Sequence, residues 1–143
     1  MSQSMNEQDA KEKLENSSKK VTDKDIQRVL EKEQDIEEKV QKSGSLRKYF
    51  NVVKSMYGLV KAYWKGEYRE IPWFTIAAIV TALLYVFNPL DVLPDVIPFL
   101  GLTDDALILA VCLKLVQQDL DDYEAWRAGN DLAGKKQPDA KTE

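Results

Sequence analysis

Polar and apolar positions divide the chain into stretches of different character. Residues 1–20 are polar, rich in Lys, Glu and Ser, and lack an apolar period. Such composition buries too little surface to order itself, so it predicts a disordered polar tail. Residues 21–45 predict a solvated charged helix. Thr22 suits an N-cap, and Asp23 and Asp25 suit the first turn, where the helix dipole favours negative charge. Val21, Ile26, Val29, Leu30, Ile36 and Val40 recur at helical pitch as a thin stripe that Glu33 interrupts. Ser43-Gly44-Ser45 closes this element. Its one narrow contact face makes it the candidate docking element for a protein partner.

Residues 46–65, LRKYFNVVKSMYGLVKAYWK, are strongly amphipathic. Leu46, Tyr49, Phe50, Val53, Met56, Tyr57, Val60, Tyr63 and Trp64 follow three- and four-residue steps, while Arg47, Lys54 and Lys61 share another face. This basic helix can face a protein core or lie in an anionic membrane interface. Residues 71–90, IPWFTIAAIVTALLYVFNPL, then carry no charge at all. A helix of that length is about 30 Å long, the thickness of a hydrocarbon core. Tyr63, Trp64, Tyr68 and Trp73 gather at its start, as an aromatic belt would. The expectation is a membrane span; the competing reading is the central helix of a soluble bundle. A second apolar helix follows from Thr103. Its apolar part, Ala106 to Val116, is only about 16 Å long and fades near Leu120. Residues 121–143 read as a polar C-terminal tail.

The fold class is therefore all-α: a short helical bundle or hairpin with one to two membrane helices, preceded by the basic helix and the solvated helix. Charge sharpens this. Residues 41–70 carry 7 basic and 2 acidic side chains, 71–90 none, and 91–105 carry 4 acidic and none basic. By the positive-inside rule the N-terminus is cytoplasmic and the location is the cell membrane. Lys54, Lys61, Trp64, Lys65 and Trp73 are the candidate membrane-interface residues, with membrane lipid as the partner.

The chain contains no histidine. A Ser-His or Cys-His nucleophile pair is thus impossible within it, and the commonest metal ligand is missing. The single cysteine, Cys112, lies in an apolar run and reads as a small buried hydrophobe. No enzyme activity and no cofactor are expected. Nucleic-acid binding is not expected either, because the basic stripe shares its helix with a heavy apolar face and the chain is acidic overall.

Between the two apolar helices stands NPLDVLPDVIPFLGLTDD. Asn88 and Pro89 read as N-cap and first helical position, Pro94 and Pro98 limit any helix to short turns, and Gly101 permits a sharp turn. Pro89, Asp91, Pro94, Asp95, Pro98, Gly101, Asp104 and Asp105 resemble the signature of the YkvA-like domain. That resemblance covers roughly residues 48–118, which the sequence bounds as a helical membrane domain over 46–120. It implies a small membrane-associated bacterial domain of unknown function, and it supplies no reaction.

An aspartate at mid-membrane costs about 2.5–3.5 kcal/mol, so four unpaired ones cannot sit deep in lipid. Asp91, Asp95, Asp104 and Asp105 read as helix caps and turn-makers. Alternatively they form an oxygen-only metal site for a hard cation such as Ca²⁺ or Mg²⁺, or a coupled acid–base pair. The sequence thus points to a small integral or tightly associated membrane protein with an interaction or structural role. The competing functions are an ion-linked transport component or cation-binding protein using the Asp loop, and a soluble helical bundle with no membrane role.

Overall fold

A computed structural model describes residues 6–87 and 105–135 of the chain. Among these residues all regular structure is helical: α1 (Glu7–Ser18), α2 (Asp23–Glu31), α3 (Glu33–Lys42), α4 (Phe50–Trp64), α5 (Trp73–Phe87) and α6 (Asp105–Lys135). A single 3₁₀ turn, Arg47–Tyr49, leads into α4. The expected all-α class is what forms.

Helix α5 is the axis of the bundle. It packs against each of the other five helices, and every residue from Thr75 to Val86 is buried. Its two polar side chains are satisfied without water. Thr81 Oγ1 donates to the Ala77 carbonyl of its own helix at 2.8 Å, and Thr75 Oγ1 donates to Asp119 Oδ2 at 2.5 Å. Helix α4 presents Val53, Met56, Tyr57 and Val60 to the same core, as its period predicts. The bundle itself therefore covers the apolar face of this basic helix, which corresponds to the core-facing alternative.

The membrane helix expected over 71–90 takes a different form. Helix α5 has 15 residues, about 22 Å of rise, against the 30 Å or so of a hydrocarbon core. Among the described residues no helix is long and apolar enough to cross a membrane. The uncharged run is instead wrapped by protein. Apolar residues all round a helix demand an apolar surrounding, and neighbouring helices meet that demand as well as lipid does.

The termini also depart from expectation. Within the stretch expected as a disordered polar tail, α1 forms. Asn6 caps it by accepting from the Asp9 amide at 2.8 Å, and Ala10, Leu14 and Ser18 bury themselves at four-residue steps against α5 and α6. The predicted helix from Thr22 starts as expected, with the Thr22 amide donating to Asp25 Oδ2 at 2.9 Å in a capping box. It breaks at Lys32, beside the stripe's interruption at Glu33. The break lets Ile26 and Val29 on α2, and Ile36 and Val40 on α3, all reach the core. At the other end, α6 runs on through Lys135, well into the expected C-terminal tail. Leu120 and Tyr123 are buried and Trp126 is partly buried, continuing the stripe of Leu109, Cys112 and Val116.

Candidate functional site

The aromatic side chains converge where α4 ends and α5 begins. Helix α4 stops at Trp64, and Gly66 takes a φ of 81°, a left-handed turn position that suits glycine. The chain then returns through Tyr68 and Arg69 to Pro72, which precedes α5. Pro72 suits that place because the first turn lacks backbone partners for its amides anyway. The Tyr63 and Trp73 rings lie 6.2 Å apart, and the Arg69 guanidinium stands 4.4 Å over the Tyr63 ring. Beside them Tyr68 packs on Tyr123 at 5.7 Å and on Trp126 at 4.9 Å. Burial, then the charges of Asp122, Asp119 and Glu70, raise the Tyr68 phenol above its usual pKa.

At this end two large apolar side chains stay in water: Trp73 is 42% exposed and Phe74 is 39% exposed. They are the first two residues of α5, so they project from the tip of the core helix. Lys65, Glu67, Arg69 and Glu70 surround them as exposed charges. Of the five candidate interface residues, Trp64, Lys65 and Trp73 belong to this tip. Lys61, one turn back on α4, is ion-paired to Glu33 at 2.9 Å. Lys54 lies ten residues before Trp64, about 15 Å along the helix, with its ammonium 5.4 Å over the Phe50 ring. Phe74 and Arg69 are not among the residues that the sequence pattern singles out. The pairing of Trp73 with an adjacent Phe74 was the available signal.

The opposite end of α5 is tied down by cations. Lys39 Nζ on α3 donates to the Val86 carbonyl at 2.6 Å, where a helix C-terminus leaves carbonyls without amide partners. The same ammonium lies 4.0 Å from Asp105 Oδ2 in the first turn of α6. Lys32 Nζ stands 5.3 Å over the Phe87 ring. Asp105 thus pairs with a lysine, and its place in the first turn of α6 suits the helix dipole. Asp91, Asp95 and Asp104, with Pro89, Pro94, Pro98 and Gly101, lie outside the described residues. Among the described residues no cluster of three or more Cys, Asp or Glu could hold a metal ion.

A shallow polar groove of about 350 Å³ runs between α4 and α6, lined by Asn51, Lys54, Ser55, Gly58, Tyr123, Glu124 and Arg127. Ser55 donates to Glu124, and Arg127 Nη2 donates to the same carboxylate at 2.8 Å. Burial works against the Glu124 charge, but the Ser55 and Arg127 hydrogen bonds outweigh it and hold the carboxyl below its usual pKa. Cys112 sits in the core with Sγ 3.6 Å from the Ala78 carbonyl, and burial pushes its thiol up to about 12. A thiol so placed is not a nucleophile at neutral pH.

Comparison with known proteins adds the following. Residues 75–111, the bulk of α5 through the start of α6, match the family described as a protein of unknown function, DUF1232. The chain is 32% identical over 81 residues to the uncharacterized membrane protein YkvA of Bacillus subtilis (strain 168), covering 57% of this chain and 76% of that protein. No solved structure matches.

Proposed function

The chain belongs to the YkvA-like, DUF1232 family, and from that premise we propose that it is a membrane-associated helical domain that docks on the bilayer surface through the tip of α5. A relative described as a membrane protein supports the location. The observation that carries the mode of contact is the exposed pair Trp73 and Phe74, backed by Tyr63 and Arg69. Aromatic side chains with neighbouring cations favour the headgroup level of a bilayer. The role is structural or an interaction, with no reaction of its own. The basic block over 41–70 supports contact with the anionic cytoplasmic leaflet, with the N-terminus on the cytoplasmic side. The thin-striped helices α2 and α3 remain the candidate surface for a protein partner.

Burying the exposed two-fifths of Trp73 and Phe74 is worth about 1–2 kcal/mol for the pair, from 1.5–3 kcal/mol per fully buried large side chain. The test is sedimentation of the full chain with vesicles of phosphatidylglycerol and phosphatidylcholine. The double variant Trp73→Ser/Phe74→Ser should bind roughly tenfold more weakly with unchanged helix content. Equal binding by the double variant defeats the tip as the anchor. No vesicle binding by the unaltered chain returns it to a bundle without a membrane role.

A further inference from the structure

Helix α5 is apolar on every side, yet its coverings are unequal. Helices α4 and α6 give it broad apolar faces, including Met56, Leu59, Ile108 and Cys112. Helix α1 covers another side with very little. Of its twelve residues, EQDAKEKLENSS, only Ala10, Leu14 and Ser18 are buried. The buried serine turns its hydroxyl back to the Leu14 carbonyl at 2.6 Å, so Ser18 offers α5 no polar grip. Leu14 is the one large apolar side chain in the contact.

The rest of the seat is loose. A cleft of about 450 Å³ opens between the start of α1 and the side of α6, lined by Glu7, Gln8, Lys11, Val111, Lys114 and Leu115. The ion pair of Glu7 with Lys114 spans it in the open, where water screens the attraction. A helix of this length is marginal in water by itself, so α1 exists through its seat rather than the reverse. The family match begins at Thr75 and so leaves α1 outside it, while the apolar face beneath lies on α5 and α6, the two helices the match reaches.

We infer that α1 is a displaceable cover, and that the face of α5 and α6 beneath it is a second docking surface, for the acyl region of a lipid bilayer. The inference rests on the surface-docking reading above. Contact through Trp73 and Phe74 brings the bundle to the bilayer. Lipid then competes with one leucine and one alanine for an uncharged helix. When α1 lifts, its lysines Lys11 and Lys13, with Lys19 and Lys20 beyond its end, meet the anionic headgroups.

The experiment uses the full chain with Cys112→Ala and two new cysteines, Glu7→Cys and Lys114→Cys, joined by a short bismaleimide. Binding to phosphatidylglycerol–phosphatidylcholine vesicles is measured before and after joining. Joining should lower the bound fraction at least fivefold, and Leu14→Ser in the unjoined chain should raise it about fivefold. Hydrogen exchange of the α1 amides should accelerate when vesicles are added. Equal binding by joined and unjoined chains overturns the cover while leaving surface docking in place. Loss of binding in Trp73→Ser/Phe74→Ser with no response to joining overturns it in the same way. Should Leu14→Ser produce a dimer without lipid, the face serves a second copy and the lipid assignment falls. If no form binds vesicles, both readings fail together.

Discussion

Tyr57→Phe isolates one hydroxyl at the point where three helices meet. The ring is fully buried, and Phe fills the same space, so packing is retained. What goes is the bond from Tyr57 Oη to the Val29 carbonyl at 2.7 Å, near the end of α2. A hydrogen bond of this kind contributes about 0.5–1.5 kcal/mol net. The carbonyl left behind keeps a second donor, the Lys32 amide at 3.2 Å, so the further penalty for an orphaned buried acceptor applies only in part. The expected loss is about 1–2 kcal/mol, or roughly 4–8 °C in melting temperature for a chain of this size. Urea unfolding followed by circular dichroism should show a lower midpoint and an unchanged slope. A second arm uses pH. Burial first, then the charges of Glu33 and Glu37, hold the Tyr57 phenol above its usual pKa of 10.0. A folded-state value above the unfolded one gives stability that is complete below pH 10 and lost as pH rises through that range. The gap between the unaltered chain and Tyr57→Phe should therefore shrink between pH 9 and pH 11. A loss under about 0.3 kcal/mol, or a gap that stays constant with pH, would show that the hydroxyl is not held in this bond.

Two further outcomes follow from the core. Gly58→Ala on α4 places a methyl group 2.5 Å from Tyr123 Oη and 3.3 Å from its Cζ, in a ring wedged between Tyr68 and Trp126. Alanine gains about 1 kcal/mol in helix propensity, and the overpacking costs about 1–3 kcal/mol. The net effect is a loss of up to about 2 kcal/mol, restored in the double variant Gly58→Ala/Tyr123→Phe, which removes the nearest atom; a stabilised single variant would show that α6 shifts freely. Cys112, with its thiol pushed up to about 12, should resist a maleimide at pH 7.5 in the folded chain and react at once in urea. Its folded value exceeds the usual 9.0, so its contribution is present below pH 9 and fades above it; rapid labelling of the folded chain would contradict burial.

What the sequence reveals here depends on whether a residue's own type carries the signal. The α4 face was legible because Val53, Met56, Tyr57 and Val60 are all apolar and evenly spaced. The start of α2 was legible because Thr22 and Asp25 form their cap within three residues. Helix α1 was not, since two of its three buried positions are Ala10 and Ser18, which leave no apolar period. The length of α6 was masked by Asp119, Asp121, Asp122 and Glu124, which interleave with Leu120, Tyr123 and Trp126. At the α5 tip, Trp64, Lys65 and Trp73 share an end because a short return joins the helices. Lys54 does not join them, because helix rise alone carries it about 15 Å away. Exposure of Phe74 is a property of the assembled bundle, and no local pattern encodes it.

The ambiguity between core helix and membrane helix lies in α5 itself. Its residues report only that they need apolar neighbours. A charge placed at Ala78 would be equally ruinous in a bundle and in a bilayer, so no substitution inside α5 distinguishes the two. The distinction is written in the covering helices. Helices α1, α2 and α3 turn Ala10 and Leu14, Ile26 and Val29, and Ile36 and Val40 inward, and otherwise present mostly charged side chains to water. Each adds one small apolar patch at four- or three-residue spacing, too thin to fold alone yet matched to one side of α5. In a chain whose α5 lay in lipid, those six positions would have nothing to face and could change without effect on stability. In this bundle each large one removed to Ala costs about 2–5 kcal/mol. The thin stripes on polar helices, rather than the hydropathy of the central one, are what specify a water-facing bundle around a helix with the composition of a membrane span.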